Sequence, residues 1–327
     1  MSSWANRHLP RKRDLSQIPP EFRPQPVPRI EQPQVILSET FQPKRNEIVY
    51  PSENAIPNMI FRTGETVRKL EPSPFSATKL AHNGKSYVFV ILRNIRHTKD
   101  NDLWISSYNS IRRFYTNPIK IIDDNSSINT VNGKLVDTEV IQSEWNGAGE
   151  ILPYYYFMKQ KWADQMIFIH DSMFLSRPFK DSELSDSVRF HWHFKADDRK
   201  YSTYLSALSN SESLIEYSKQ RSAWKGCFGA TSIISLELVQ ALEKKYGIFS
   251  RLTMAIRTRP EREIFERIFG MIIFYEGHVT DQTCSNFGDI IQYPDAFESQ
   301  FQTLETASRS LIDFRYDTAI VKVWRGR

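Results

Sequence analysis

Short apolar runs alternate with helical patterns between residues 85 and 175, and this alternation constrains the fold more than any other feature. "KSYVFVIL" (85–92) is a continuous β-branched and aromatic run, which is typical of a central strand in a parallel sheet. An amphipathic stretch follows at 102–115, with Asp102 as its expected N-cap, and a second apolar run, "IKII", occupies 119–122. A strand, a helix and a strand in this order predict a parallel βαβ unit.

The alternation continues along the chain. "KLVDTEVIQ" (134–142) predicts a third strand, a helix is expected to begin near Gly149, and "QMIFI" (165–169) predicts a fourth strand. Further elements are expected as a strand at 229–236 and helices at 236–247 and 259–277. The predicted fold class is therefore α/β, with a single Rossmann-like domain built on a mostly parallel central sheet.

Proline marks a different kind of segment at the N-terminus. Twelve of the 17 prolines lie in residues 1–74, and residues 1–79 carry 12 Lys/Arg against 8 Asp/Glu. A chain with this composition buries too little apolar surface to offset its ordering entropy. We expect residues 1–83 to be a Pro-rich extended or disordered arm, with docking of a partner as the functional alternative. The folded domain is expected over 84–327, in halves of about 85–175 and 176–327.

Composition excludes several classes of protein. A net charge of +5 without a run of five basic residues disfavours a nucleic-acid-binding surface. The two cysteines, Cys227 and Cys284, are too few for a disulfide framework and fit a reducing compartment. No apolar run approaches the ~18 residues of a membrane helix, and the N-terminus lacks the apolar segment of a signal peptide. A soluble, cytoplasmic protein is expected.

Polar clusters follow three of the predicted strands. They are Arg93-Asn94, Asp123-Asp124-Asn125-Ser126 and His170-Asp171-Ser172. Ligands bind beyond the carboxyl ends of strands in open parallel sheets, so these clusters are candidates for chemistry. Taken singly, each is also explained as a turn, since Asp, Asn and Ser bond their own backbone. No G-x-G-x-x-G follows the first strand and no P-loop motif occurs, which disfavours a dinucleotide or P-loop site.

Two stretches carry a resemblance to a known family. "VILRN…NDLWISSYNSIRRFYTNPIKIIDDNSS" and "EWNGAGEILPYYYFMKQKWADQMIFIHDSMFL" resemble the nucleotide-binding half of GT-A fold glycosyltransferases, in particular the large inverting family with a strand-D-D-x-S motif and a D-x-D motif. The resemblance covers about 85–230, with a looser extension to 275. It implies a nucleotide-sugar donor and a glycan or other hydroxyl acceptor. The nucleotide contacts that it implies are Arg93, Asn94, Asp123, Asp124, Ser126 and Asp171.

The same resemblance implies a metal ion, but its motif is altered here. His170 and Ser172 stand where the family has its two aspartates, and Asp171 takes the variable position. Mn²⁺ tolerates imidazole better than Mg²⁺ does, so Mn²⁺ is the expected ion, with His170, Asp171 and Ser172 as ligands and His278 as a further one. In a metal-independent enzyme, cations must neutralise the leaving diphosphate instead. The basic C-terminus offers Lys322, Arg325 and Arg327 for that purpose.

Inverting transfer requires a carboxylate that accepts the proton of the acceptor hydroxyl. In "RTRPEREIFERIFG", Glu261 and Glu263 are expected in the first turn of a helix, which resembles the acidic motif that carries the base in inverting GT-A enzymes. Acidic residues also favour helix starts for their interaction with the helix dipole alone. Trp224 is a candidate for stacking on a sugar, or else a core residue.

Other interpretations remain open. His191 and His193 in "RFHWHF" would share one face of a strand and could ligate a metal together, or line an acceptor site. A retaining glycosyltransferase shares the same nucleotide half. A non-catalytic GT-A-like nucleotide-binding or structural protein is the alternative that the altered D-x-D motif favours. A nucleotidyltransferase is disfavoured, because "RNIRHTKDN" (93–101) lacks the glycines of its loop.

Overall fold

A computed structural model describes residues 60–63, 66–69, 76–127, 135–197, 201–293 and 317–322. Most of the expected arm and the candidate cations Arg325 and Arg327 lie outside these residues. The strands are β1 (Ile60–Thr63), β2 (Thr66–Lys69), β3 (Ala81–His82), β4 (Lys85–Arg93), β5 (Ile119–Asp123), β6 (Thr138–Gln142), β7 (Gln165–His170), β8 (Met173–Leu175), β9 (Val188–Phe190), β10 (His193–Lys195), β11 (Lys225–Cys227), β12 (Ser232–Ser235) and β13 (Ile320–Lys322). The helices are α1 (Thr98–Arg112), α2 (Leu152–Gln160), α3 (Ser202–Leu205), α4 (Glu212–Ser218), α5 (Leu236–Tyr246), α6 (Ile248–Ala255) and α7 (Arg259–Tyr275).

The central sheet has the strand order β6-β5-β4-β7-β12-β9, with β3 paired to β4. The first four strands of this order are parallel, and β12 runs antiparallel to both β7 and β9. In the register of the sheet, Arg93 lies opposite Asp123 and Leu92 lies opposite His170. The carboxyl ends of β4, β5 and β7 therefore meet at one edge, and the prediction of an α/β fold with a mostly parallel sheet is confirmed.

Strand β4 is buried on both faces, as its continuous apolar run predicts. Val88 and Val90 pack on the side that carries α2, α5, α6 and α7, whereas Phe89 and Ile91 pack on the side of α1. All four side chains are fully buried. Burial of a side chain of this size contributes about 1.5–3 kcal/mol, so β4 is the strand to which both layers of the core are attached.

The N-cap of helix α1 is His97, five residues before the expected Asp102. The carboxylate of Asp100 accepts hydrogen bonds from the backbone N–H groups of Arg96 and His97, at 2.9 and 3.0 Å. These bonds satisfy donors that a helix start otherwise leaves unpaired. The helix therefore begins at Thr98, where Asp100 stands in its first turn.

Residues at the end of the expected arm belong to the folded domain. Strand β3 pairs with β4 through a turn in which Asn83 and Gly84 both have positive φ, at 50° and 72°. This is the Asn-Gly geometry of a tight hairpin. The buried side chain of Asn117 accepts from the Leu80 N–H at 2.6 Å and donates to its carbonyl at 2.9 Å. Ordered contacts thus extend upstream of the predicted boundary at 83/84.

Helix α7 is the longest helix on the side of the sheet that also carries α2, and it packs closely against β11. A Cβ on its Gly270 would overlap the Lys225 carbonyl and lie 2.9 Å from the Cys227 nitrogen, so only glycine fits at this crossing. Among the described residues, no helix is both long and apolar enough to cross a membrane.

Candidate active site

The three polar clusters predicted from the sequence lie together at the carboxyl edge of the sheet. The Asn94 N–H lies 3.4 Å from a carboxylate oxygen of Asp171. The Asn94 side-chain amide donates to the backbone carbonyls of Asp124 and, at 3.3 Å, Asn125. Asn94 therefore joins the ends of β4, β5 and β7, and the clusters form one polar surface instead of three separate turns.

Arg93 and Asp123 form an ion pair at the centre of this edge. The Arg93 Nε lies 2.7 Å from the Asp123 Oδ2, and the two side chains are 1% and 0% exposed. The other carboxylate oxygen accepts from the Ser126 N–H at 2.8 Å, and the guanidinium lies 4.7 Å from the Trp104 ring centroid. The pair fixes the ends of β4 and β5 to each other. The contact of Arg93, Asp123 and Ser126 with a nucleotide stays a prediction.

Asp124 anchors the glycine-containing loop that precedes α2. One carboxylate oxygen accepts from the Gly147 N–H at 2.6 Å, and the other accepts from the Gly149 N–H at 3.0 Å. Burial raises the pKa of Asp124, and these two hydrogen bonds and Arg262 act in the opposite direction. The two adjacent carboxylates at the end of β5 thus have separate partners: Asp123 pairs with an arginine, and Asp124 holds a loop.

His170 and Ser172 both face Lys322. The Lys322 Nζ lies 2.7 Å from the Ser172 Oγ and 3.5 Å from the His170 Nδ1. The other ring nitrogen of His170, Nε2, lies 2.8 Å from the Gly229 carbonyl oxygen and can donate a proton to it. Lys322 reaches this position because β13 pairs antiparallel with β8, which places Lys322 opposite Met173. The ammonium group thus occupies the position beside His170 and Ser172 that the resemblance gives to a metal ion.

The described residues do not fit the manganese ion that the resemblance implies. An ion held by His170 and Ser172 would lie beside the ammonium group of Lys322, a like charge. His278 is exposed in the segment after α7. No group of three or more His, Cys, Asp and Glu residues within the described ranges could hold a metal ion. Manganese use therefore stays a prediction to which these side chains lend no support.

The candidate bases Glu261 and Glu263 lie in the first turns of α7, as expected, but each has structural partners. Glu261 Oε2 accepts from the backbone N–H groups of Arg257 and Thr258, at 2.7 and 2.8 Å. Burial acts to raise the pKa of Glu261, but these hydrogen bonds outweigh it and the net pKa is lowered. Glu263 lies 3.1 Å from the Arg259 Nε. Glu261 is a capping residue of α7, and its catalytic role stays a prediction.

Two carboxyl groups that the sequence analysis missed lie deeper in the site. Glu266 lies one turn further along α7 and accepts the Gly229 N–H, and Glu150 lies in the turn before α2. The Glu150 Oε2 lies 3.0 Å from the Arg262 Nε, although no donor within the described residues makes a well-aligned hydrogen bond to that oxygen. The side chain of Glu150 is 15% exposed and that of Glu266 is 13% exposed. Burial first, and then the charge of Glu150, raise the pKa of Glu266 to about 8.

The remaining candidates contact the protein itself. Trp224 is 1% exposed and packs edge-on against Tyr201, which favours its interpretation as a core residue. His191 contacts the Phe168 carbonyl, and burial lowers its pKa to about 3. His193 contacts the Ser285 hydroxyl at 2.7 Å. The two histidines have different partners, because β9 ends before His191 and β10 begins at His193.

Comparison with known proteins gives limited similarity. No model of a protein family matches the sequence, and no curated protein matches it. The fold is similar to two structures of TarS from S. aureus, each with 14% identity over 56% of this chain. For TarS 1–349 the TM-score is 0.31 and the match spans 55% of that chain. For the second TarS structure the TM-score is 0.32 and the match spans 33% of that chain. It is also similar to core-mannan synthase A (CmsA/Ktr4) from Aspergillus fumigatus in a Mn/GDP-form, with 12% identity and a TM-score of 0.36. This match covers 70% of this chain and 78% of the synthase chain. These proteins are glycosyltransferases. At such TM-scores only part of each fold superimposes.

Proposed function

We propose that this protein is a glycosyltransferase that moves a sugar from a nucleotide-sugar donor to an acceptor hydroxyl. Such a reaction needs a surface that holds the nucleotide, a positive charge that neutralises the departing diphosphate, and a group that takes the proton of the hydroxyl. The carboxyl edge of the central sheet offers candidates for all three. The position of Lys322 beside His170 and Ser172 is the observation that carries the proposal.

The nucleotide is proposed to lie over the ends of β4 and β5. Asn94 is partly buried and Asn125 is exposed there, and both present amide and backbone groups that can pair with a base and a ribose. Arg93 and Asp123 lie beneath them as a buried pair. In this arrangement the buried ion pair keeps the two strand ends in position, while the asparagines and Asp171 make the contacts.

Lys322 is proposed to stabilise the leaving diphosphate. Its ammonium group is held between Ser172 and His170 at the end of β7. Strand β7 lies next to β4, and the end of β4 forms part of the proposed nucleotide surface. A fixed cation at the place where charge develops lowers the barrier most in a site that excludes water. A lysine in this role makes the reaction independent of a divalent ion, which is why it is favoured here over manganese.

The donor site can be tested by thermal shift with UDP and GDP, each with and without Mn²⁺. A nucleotide at about 100 times its Kd stabilises a folded protein by ~2.7 kcal/mol. We expect stabilisation by at least one nucleotide that EDTA leaves unchanged, and its loss in Lys322→Gln. Lys219→Gln is the matched control, because Lys219 is 65% exposed and pairs with Glu216, three residues earlier in the chain.

Three other results would redirect the proposal. Stabilisation that requires Mn²⁺ and survives in Lys322→Gln would favour the metal-dependent route. Nucleotide binding without hydrolysis or transfer of any UDP- or GDP-sugar would favour the non-catalytic alternative. Transfer that keeps the anomeric configuration of the donor, measured by NMR of the product, would favour a retaining enzyme.

A further inference from the structure

Residues 317–322 form a short strap that lies along β8. Strand β13 is the second half of this strap, and it pairs antiparallel with β8 in a two-stranded sheet separate from the central one. The Ser176 N–H is donated to the Ala319 carbonyl at 3.0 Å, and the Ser176 hydroxyl to the Thr318 carbonyl at 2.6 Å. Ala319 and Ile320 are fully buried in the core on the side of α1. These contacts attach the middle of the strap to the domain.

An ion-pair cluster holds the start of the strap. The Asp317 Oδ1 lies 2.8 Å from the Arg177 Nε, and the other carboxylate oxygen of Asp317 contacts the Lys180 Nζ. The Asp317 backbone carbonyl accepts from the same guanidinium group at 2.9 Å. Both the side chain and the backbone of Asp317 are therefore held. We call Arg177, Lys180 and Asp317 the strap clamp.

Arg177 is oriented from its other side by Glu183. Its two terminal nitrogens, Nη1 and Nη2, lie 2.8 and 2.6 Å from the two carboxylate oxygens of Glu183. A bidentate pair of this kind fixes the plane of the guanidinium group, and the Glu183 side chain is only 11% exposed. The Nε of Arg177 is thereby directed at Asp317. Asp317, which is 69% exposed, is the member of the clamp that can be changed without breaking the pair with Glu183.

We propose that Asp317 is a positioning residue for Lys322. Through the strap clamp it fixes where the strap begins on β8, and so where the ammonium group at the other end lies. The inference rests on the glycosyltransferase function proposed above, in which Lys322 stabilises the leaving diphosphate. Asp317 acts through the strap and not on the substrate.

The geometry of the strap explains how a remote clamp can act. Asp317 and Lys322 are five residues apart, which separates them by at most about 18 Å. Only three residues of the strap pair with β8, and an isolated two-stranded pairing is marginally stable in water. The Lys322 Nζ lies 2.7 Å from the Ser172 Oγ, so small displacements of the strap break this contact. Misplacing a group by about 1 Å can cost ~10²-fold in rate.

The clamp has little to contribute to the stability of the whole fold. The side chains of Asp317 and Lys180 are 69% and 54% exposed, and solvent and salt screen ion pairs at such positions. Hydrogen bonds from Lys180 and then Arg177 lower the pKa of Asp317, so its carboxylate is ionised at neutral pH. A merely structural role therefore predicts almost no effect of removing this charge. A positioning role predicts a loss that is confined to the strap and to the ligand group that Lys322 contacts.

Amide hydrogen exchange of the whole chain tests the attachment of the strap without any substrate. Asp317→Asn removes the charge and keeps the size of the side chain. We expect faster exchange in peptides that cover the strap, and parent-like exchange in β4. Asp281→Asn is the matched control, because Asp281 is 56% exposed and pairs with Lys225 at 3.4 Å. Parent-like exchange of the strap in Asp317→Asn would overturn the clamp.

Ligand binding tests the positioning of Lys322. The probes are UDP and GDP, measured by calorimetry, and the corresponding nucleosides uridine and guanosine, measured by ligand-observed NMR. In Asp317→Asn the Kd of the diphosphate that binds the parent should rise by about 2–30-fold, the range that two exposed ion pairs can supply together. The affinity for its nucleoside should stay unchanged, because the nucleoside carries no phosphate. Asp317→Glu keeps the charge and should recover part of the loss, and Asp281→Asn should bind both ligands as the parent does.

Two results would contradict the positioning role. One is an unchanged diphosphate affinity in Asp317→Asn although its strap exchanges faster. The other is an equal loss of affinity for the diphosphate and for the nucleoside, which would show a general disturbance of the site.

Failure of the proposed function gives a different pattern. If the parent binds neither UDP nor GDP, the glycosyltransferase proposal is overturned, and the positioning of Lys322 for a diphosphate falls with it. Hydrogen exchange then still decides whether Asp317 holds the strap, because it requires no ligand.

Discussion

Arg93 and Asp123 form an ion pair 2.7 Å long in which neither side chain is more than 1% exposed. Removing one partner of such a pair leaves a buried charge without compensation, which costs ~3–5 kcal/mol. We expect Asp123→Asn and Arg93→Met each to lower the free energy of unfolding in urea by about that amount. A smaller loss in the double variant than in the sum of the two single ones would show that the charges act as a pair.

An exposed pair in the same sheet serves as the control. Lys120 and Glu139 also lie 2.7 Å apart, but Glu139 is 57% exposed. Glu139→Gln should change the free energy of unfolding by less than ~1 kcal/mol. If the two pairs gave equal losses, burial of Arg93 and Asp123 would not be what makes their pair important for stability.

The raised pKa of Glu266 makes the stability of the protein depend on pH. Its pKa is about 8 in the folded protein and ~4.3 in an unfolded chain. Between these values the folded state binds a proton that the unfolded state does not, so stability falls as pH rises through this range. Glu266→Gln removes that dependence. The free energy of unfolding of this variant, minus that of the parent, should therefore increase from about pH 5 to about pH 8. Urea denaturation at both pH values measures the change, and a constant difference would contradict it.

Gly147 is expected to be intolerant of substitution. Its φ of +81° disfavours a side chain, and a Cβ there would overlap the backbone carbonyl of Arg257. Gly147→Ala should therefore lower the free energy of unfolding by the ~1–2 kcal/mol that left-handed backbone costs a residue with a side chain. Displacing the loop that Asp124 holds should lower it further. Gly84→Ala is the control, since Gly84 has φ +72° but no atom within 4 Å of its Cβ position. Equal melting temperatures for the two variants would show that the loop yields without cost.

The position of the N-terminal boundary can be tested with two shortened chains. A chain beginning at Asn83 lacks Leu80, whose N–H is donated to the side-chain oxygen of the buried Asn117, while the Asn117 amide nitrogen keeps the Tyr87 carbonyl as an acceptor. Leaving such a group unpaired costs ~1–3 kcal/mol, so the chain from Asn83 should melt at a lower temperature than one beginning at Ser76. Asn117→Ala in the longer chain should narrow the difference between them. Identical melting temperatures would support the boundary predicted from the sequence.

The sequence predicted the sheet well because its strands are governed by local pattern. The run at 85–92 became the central strand, and the polar clusters after β4, β5 and β7 lie together as parallel connections require. The start of α1 was less predictable, because it depends on which of two nearby aspartates bonds the backbone. Asp100 does so, whereas Asp102 was the expected cap.

Candidate catalytic residues were harder to predict because a carboxylate's role depends on its tertiary neighbours. Glu261 stands at the helix start that suggested a base, yet the same position makes it a cap. Glu266 carries no local signal, since its neighbour Glu150 lies more than a hundred residues earlier in the chain. Lys322 was identified only as one of three basic residues near the C-terminus. Its selection required the pairing of β13 with β8.

Because β12 runs antiparallel to β7, the start of β12, rather than its end, lies at the carboxyl edge of the sheet. The parallel strands β4, β5 and β7 leave the sheet at that edge, whereas β12 enters there. The turn at Phe228–Ala230 is therefore the entrance to a strand, and its length is not tied to a returning helix. Insertions in this turn would change the loop that contacts the His170 ring while leaving the hydrogen-bond register of every strand in the central sheet intact.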